Sequence, residues 1–285
     1  MATWTPRRRS VRHAARRTGY AGRRAANSPA MRFLARAGLV ARGFMYVIIG
    51  WIAVQIAFGH SSRQADRTGA LHAIGATPVG GVLLWLLVIG FAGMTLWRLA
   101  EAIYGSPGSA GHKPGSRLAA LCRAVVYAVI GYGVLKYALG AGAPQSSDKQ
   151  SVDLTATLMS HPGGRLLVAV IGLALVAGGV YLAYEAWREK FRRDLELGRM
   201  RARTRRAVEW LGKVGGMARG AVFVTAGIFL VVAAAEARPQ QAKGVDSSLR
   251  VLASTPLGPW LLVLVAAGLI MFGVFSCCEA RWIRL

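Results

Sequence analysis

The sequence predicts an all-α integral membrane protein, with six transmembrane helices forming three parallel-repeat helical hairpins in a pseudo-threefold arrangement. Three observations lead there. Apolar segments of roughly 20 residues recur, each long enough at about 1.5 Å per residue to cross a hydrocarbon core of about 30 Å. Basic residues are abundant yet avoid those segments. One pattern of charged, aromatic and small residues returns three times at constant spacing.

The organising stretch runs from Gly38 to Tyr104, where two apolar segments flank a short polar loop and the second ends at Glu101. Repetition of this unit places spans near 37–58, 79–103, 118–140, 163–187, 214–235 and 257–281. The chain then divides into a disordered basic tail (1–32), a first hairpin (33–104), a flexible inner linker (105–117) and a second hairpin (118–188). A charged cytoplasmic linker (189–210) and a third hairpin (211–285) follow.

Hydrophobic residues make up 54% of the chain, too many for a soluble domain that also carries a net charge of +24. The charge is distributed by side. Of 36 Lys and Arg, 28 lie in residues 1–42, 98–123 and 188–219 and at the C-terminus, against 6 in the three alternate loops. The positive-inside rule therefore puts the termini and the basic linkers in the cytoplasm, and the chain in the bacterial cytoplasmic membrane.

No apolar core precedes Phe33, so the tail does not read as a secretory signal. It reads as a solvated basic segment that attracts anionic lipid headgroups; aromatics to interleave with bases are few, and no nucleic-acid partner is expected. The inner linker GSPGSAGHKPGSR is rich in Gly, Pro and Ser and reads as a loop. The segment after Glu185, WREKFRRDLELGRMRARTRR, has helix-forming composition and is expected to carry the fourth span onward as a charged helix.

The first span of each copy carries Arg, an aromatic four residues on, and Gly four later: Arg42, Tyr46, Gly50; Arg123, Tyr127, Gly131; Arg219, Phe223, Gly227. This spacing places the three on one helix face. The second span opens with Pro and, two residues on, Gly (Pro78, Gly80; Pro162, Gly164; Pro256, Gly258). A small residue follows (Gly90, Ala174, Gly268), then an aromatic (Trp97, Tyr181, Phe275), then Glu before Ala (Glu101, Glu185, Glu279). The hairpin geometry sets Arg and Glu at similar depth near the inner face. The expected result is a ladder of Arg–Glu ion pairs within or between neighbouring hairpins, aromatics one turn deeper, and glycines where backbones approach. Intramembrane carboxylates also suit proton or ion handling, and that alternative stays open.

An outer segment of similar pattern precedes each second span: DRTGALHAIGATP, VDLTATLMSHP and VDSSLRVLASTP. Asp66, Asp153 and Asp246 are expected to cap short helices lying on the membrane surface. Thr77–Pro78 and Thr255–Pro256 read as N-cap and first helical residue of the span that follows. His161 takes the Thr position in the second copy and reads as a cap or loop residue.

On these residues, above all SSLRVLASTPLGPWLL with the terminal Glu279–Ala280, the chain resembles the bacterial domain of unknown function 1206 family in three tandem copies, from Phe33 onward. The resemblance implies a multi-copy membrane domain and its localisation, and implies no activity. The second copy departs most, with Thr155 where the others have Leu71 and Leu249, and with Ala174 in place of Gly.

No HExxH, GxSxG, Walker glycine loop, CxxC or dinucleotide fingerprint occurs. The five histidines fall in loops or the tail, which does not suit haem ligation, and the adjacent Cys277 and Cys278 read as small apolar residues. The expectation is no enzyme, no cofactor and no metal. Two classes remain: a structural or interaction protein with a lipid or membrane-protein partner, and a small-ion or proton transporter built around the threefold axis.

Overall fold

The computed structural model describes residues 29–59, 64–105, 114–142, 145–253 and 258–283. The basic tail before Pro29, the 106–113 part of the inner linker and the Thr255–Pro256 pair lie outside the described residues. Among the described residues six helices are long and apolar enough to cross a membrane: α1 (Pro29–Ala57), α3 (Gly80–Tyr104), α4 (Pro114–Ala138), α6 (Gly164–Trp187), α7 (Ala202–Glu236) and α9 (Gly258–Trp282). Three shorter helices, α2 (Arg67–Gly75), α5 (Ser147–Met159) and α8 (Val245–Ala253), join the two spans of each copy at one end, the far end. The 189–200 linker lies at the other, basic end. Among the described residues there is no strand, only an isolated bridge between Leu195 and Ile283. Large apolar side chains such as Trp85, Leu86, Val129, Leu166 and Trp260 are exposed on the outside of the bundle, as a lipid-facing surface requires.

The turn from short helix to span has the same hydrogen bonds in the first two copies. The Ile74 and Leu158 carbonyls accept from Thr77 and His161 N–H, and the Thr77 and His161 carbonyls accept from Gly80 and Gly164 N–H. This explains the glycine two residues after Pro78 and Pro162: a Cβ on Gly80 or Gly164 would collide with the carbonyl oxygen of Ile74 or Leu158. It also corrects the expected cap. The span begins at Gly80, behind an N-cap Val79 that offers no side-chain bond, while Thr77 turns its hydroxyl back to donate to Ile74 O.

The second span of each copy packs on the first span of the next: α3 on α4, α6 on α7, and α9 back on α1. These seams are more extensive than the packing within a hairpin. In two of them glycine backbones meet. A Cβ on Gly273 would stand 2.6 Å from Gly43 O, and one on Gly179 would stand 2.7 Å from Gly220 O, with Gly43 and Gly220 blocked reciprocally. Two turns further along α1 and α7, Gly50 sits on the Ala266 carbonyl and Gly227 on that of Gly172. In the third seam Gly131 approaches Phe91 less closely, a Cβ there standing 3.2 Å from the Phe91 Cβ and 3.9 Å from its carbonyl carbon. Lipid tails are as apolar as leucine, so van der Waals contact at such close approach, not expulsion of apolar surface from water, holds these helices together.

Within hairpins, α1 packs on α3 and α7 on α9, but α4 and α6 of the second copy barely touch. The packed spans therefore run α4–α3–α1–α9–α7–α6 and leave the middle hairpin splayed. The repeat register shows what is missing. Gly90 meets Ala41 and Gly38 meets Met94 in the first copy; Gly268 meets Ala218 and Gly215 meets Phe272 in the third. Their second-copy counterparts Cys122, Ala174 and Gly178 are exposed, and a Cβ on Gly178 would meet nothing within 4 Å. Each of the two splayed helices buries a single stripe, Ala120, Ala124, Tyr127 and Val134 on α4, and Gly164, Val168, Gly172 and Gly179 on α6.

The charged linker also departs from expectation. The fourth span stops at Trp187, Glu189 adopts φ +52°, and two short 3₁₀ turns follow before α7 starts at Ala202. The charged helix thus belongs to the fifth span. The linker is pulled back across the bundle because Leu195 is buried and Glu196 N–H donates to Trp282 O.

Gly273→Ala should lower stability in detergent by about 1–3 kcal/mol, since the Gly43 carbonyl cannot yield. Ala174→Leu, on the open hairpin, should change it by less than about 0.5 kcal/mol. Chemical denaturation of both variants checks the contrast.

Candidate functional site

Two clusters of polar side chains lie at opposite ends of the bundle. At the far end the three short helices are tied to one another by aspartates. Asp66, 1% exposed, caps α2 by accepting from Gly69 N–H and also accepts the N–H and hydroxyl of Ser147 at the start of α5. Asp148, in the first turn of α5, accepts the N–H and hydroxyl of Ser247 in α8. Asp246, in the first turn of α8, accepts from Ala65 N–H just before α2. Each copy hands an aspartate to the next and the third returns to the first. Three positive helix ends are brought together in this way, and each carboxylate compensates a neighbour's orphan amides.

Of the three expected caps, only Asp66 is one. Asp153 is exposed inside α5, whose cap is Ser146, and Asp246 lies within α8, bonded across to the first copy. The aspartate that matters in the second copy is Asp148, five residues upstream, because α5 is a turn longer than α2 and α8. His161 sits in the turn, with Nδ1 near Thr157 O and Ser160 Oγ.

At the basic end the three Arg–Glu sets reach three different arrangements. Arg42 is the fully engaged one. Its Nη2 donates to Glu279 at 2.6 Å, its Nε to Ser276 Oγ and its Nη1 to the Tyr127 hydroxyl, so spans of all three copies meet on one guanidinium. Glu101 is held by Arg98 at 2.6 Å on its own helix, and Arg98 stacks on Trp97. Arg123 is exposed and makes no ion pair among the described residues. Arg219 has no carboxylate within ion-pair distance among the described residues; its guanidinium lies over the rings of Tyr46, Phe223 and Phe272, and its Nε is buried without a hydrogen-bond partner. Glu185 lines a cavity under the linker and makes no ion pair among the described residues.

The expected ladder of three alike pairs is therefore corrected. Arg42–Glu279 forms across copies, Arg98 takes the place of Arg123 because it lies one turn from Glu101, and Arg219 is drawn to aromatic faces instead of Glu185. Phe272 lies under both Arg42 and Arg219 and meets Tyr46 edge-on at 4.9 Å. Phe275 packs against Phe191 of the linker. Phe272 went unnoticed in the sequence because the repeat has Met94 and Gly178 at its place.

Beside Arg219 a half-open cavity of about 180 Å³ is lined by Glu185, Lys190, Asp194, Arg219, Phe272 and Phe275, among others. Lys190 stands over the rings of Tyr181 and Tyr184. Asp194, open to solvent on one side, has its carboxyl raised above the usual range by partial burial, then by Glu279; Arg98 opposes, and Glu101 and Glu185 add to it. The fields of all three repeated glutamates thus act on one carboxyl of the linker. The linker is stitched to α7 by Glu189, Arg192, Glu209 and Lys213. Among the described residues no three His, Cys, Asp or Glu side chains gather to hold a metal.

The family described as Domain of Unknown Function (DUF1206) matches three times, at residues 37–105, 118–189 and 214–282, one hairpin each. The chain belongs to this family. A Bacillus subtilis (strain 168) relative, "Uncharacterized protein YxxB", is 27% identical over 250 residues, covering 87% of this chain and 90% of the relative. No solved structure matches the chain. In this DUF1206 protein each family match spans one copy, while the seams, the aspartate ring and the Arg42 cluster all join different copies.

Asp66→Ala leaves three donors uncompensated and should destabilise the protein by roughly 2–5 kcal/mol, whereas Asp153→Ala should stay within about 0.5 kcal/mol. Denaturation midpoints of the two variants test this. At the other end, Glu279→Gln should cost about 1–3 kcal/mol by leaving the Arg42 charge short of its partner, and Glu185→Gln less than about 1 kcal/mol. Equal losses would place the two carboxylates in equivalent pairs.

Proposed function

We propose that this DUF1206 protein is a non-enzymatic structural or interaction protein of the cytoplasmic membrane, its three hairpins set around a pseudo-threefold axis and its termini and basic linkers in the cytoplasm. The observation that carries the reading is that both ends of the bundle are laced across copies by polar contacts while one hairpin is left open sideways. The far end is laced by Asp66, Asp148 and Asp246. At the basic end Arg42 and Arg219 share Phe272 beneath the linker, and the half-open cavity beside them has no counterpart at the far end among the described residues. A conduit would need the opposite, open ends and closed flanks. Repetition of the Gly43–Gly273 seam as Gly220–Gly179 supports the axis, and the bias of 28 basic residues against 6 supports the orientation. The absence of any recognised catalytic motif supports a non-enzymatic role. Partners of this class are anionic lipid headgroups along the basic face and a membrane protein, with no nucleic acid and no cofactor.

A second reading, small-ion or proton permeation, draws on Glu185 and Asp194 in the half-open cavity, carboxylates without a cationic ion-pair partner among the described residues. Proteoliposomes holding the purified protein separate the two. With a potassium or pH gradient imposed, flux should not exceed that of empty liposomes. Flux that rises with protein density and vanishes in Glu185→Gln would establish the conduit instead.

A further inference from the structure

The splayed middle hairpin is the strongest departure from the repeat, and its two walls share a chemistry. α4 and α6 stand apart, and the small residues Cys122, Ala174 and Gly178 are exposed at the positions where the first and third hairpins are packed shut. Val125, Val129, Leu173 and Val180 on the same two helices are exposed. The surroundings of such an opening in a six-span protein are acyl chains. Lys190 and Arg219 line the cavity at the basic end, and Arg123 of α4 lies in the field of Glu185, which lines it too. Facing them in the cavity lining are Glu185 and Asp194, the latter's carboxyl pushed toward the neutral form by burial and by the neighbouring glutamates. Arg98 also lies in the field of Arg123 but is taken by Glu101. The local balance is positive, and the Arg219 Nε–H points to no acceptor. A buried donor left bare is costly, so an acceptor is called for there.

We propose that the opening between α4 and α6 is a binding site for one anionic phospholipid, its phosphodiester at Arg219 and Lys190 in the 180 Å³ cavity, Arg123 adding positive charge from the α4 side, and an acyl chain lying along Cys122, Ala174 and Gly178. The cavity has room for a phosphate and glycerol but not for acyl chains, which the opening takes. Guanidinium groups suit the site because they offer paired N–H donors to phosphate oxygens. Small residues suit the wall because a chain can lie close against the helix backbones there. The proposal takes from the functional reading only the placement of the basic end at the cytoplasmic leaflet, and stands whether or not the protein conducts.

The test uses the full chain, purified in neutral detergent and titrated with phosphatidylglycerol, phosphatidylcholine or soluble glycerophosphate. Lipid retention is read by native mass spectrometry, and the melting temperature is followed in parallel. Phosphatidylglycerol should be retained at one per chain and should raise the melting temperature saturably; phosphatidylcholine should do neither. Arg123→Gln, at an exposed position, should weaken retention roughly fivefold or more. Gly178→Trp, which fills the opening, should abolish it with folded yield unchanged. Arg188→Gln, which removes an exposed charge from the linker, should retain lipid as the parent does. Equal retention of the two lipids, or retention unaffected by both Arg123→Gln and Gly178→Trp, would overturn the proposal. An equal effect of Arg188→Gln would reduce the site to general surface attraction. The full shift with glycerophosphate alone would make it an anion site without a lipid, and a dimer released by Gly178→Trp would give the opening to a second chain. Flux measured on the same preparations tests the functional reading separately.

Discussion

Close approach of glycine backbones at the seams between copies is the contact on which the rest of the molecule depends. In an apolar medium, burying apolar side chains gains little, and helices associate through fit and through the polar groups they satisfy for one another. Gly43 against Gly273 and Gly179 against Gly220 bring helices of different copies nearer than any β-carbon permits. These seams set the spacing at which everything else is arranged. The hairpin is therefore the unit of sequence, while the pair of spans from successive copies is the unit of packing.

The same logic runs through both polar ends. Asp66 satisfies Ser147, Asp148 satisfies Ser247, and Asp246 satisfies Ala65. At the basic end Arg42 gathers Glu279, Ser276 and Tyr127 from the other two copies. A group buried by its own helix would cost free energy unpaired, and in each case the partner comes from a neighbour. No copy is polar-complete alone, which fits a family domain that occurs here as a set of three.

Departure from repetition is concentrated in the second copy. Its first span has Ala124 where the other copies have Gly43 and Gly220, and its second span has Gly178 where they have Met94 and Phe272. Loss of a large side chain from the hairpin's inner wall leaves α4 and α6 with nothing to close upon. Arg219 and Arg123 are then left beside an open wall, one on aromatic rings and the other exposed. Three equal ladders would leave no such cleft; the inequality produces it.

Much of this was determined by the sequence alone. Span number and approximate limits follow from apolar length, because backbone groups in a hydrocarbon layer must bond within a helix. The threefold repeat follows from register, and the glycine after each proline was marked by recurrence before Ile74 and Leu158 gave the reason. What recurrence could not mark were residues acting in only two copies or one: the Gly43, Gly179, Gly220 and Gly273 seams, Asp148 and Phe272. Nor could it assign partners. Arg42, Arg123 and Arg219 are equivalent in sequence, yet one is ion-paired across copies, one is exposed and one lies on aromatic rings. Sequence register fixes depth along a helix. Which neighbour stands at that depth is decided by helix rotation and by the side chains of another copy, and that belongs to the tertiary structure.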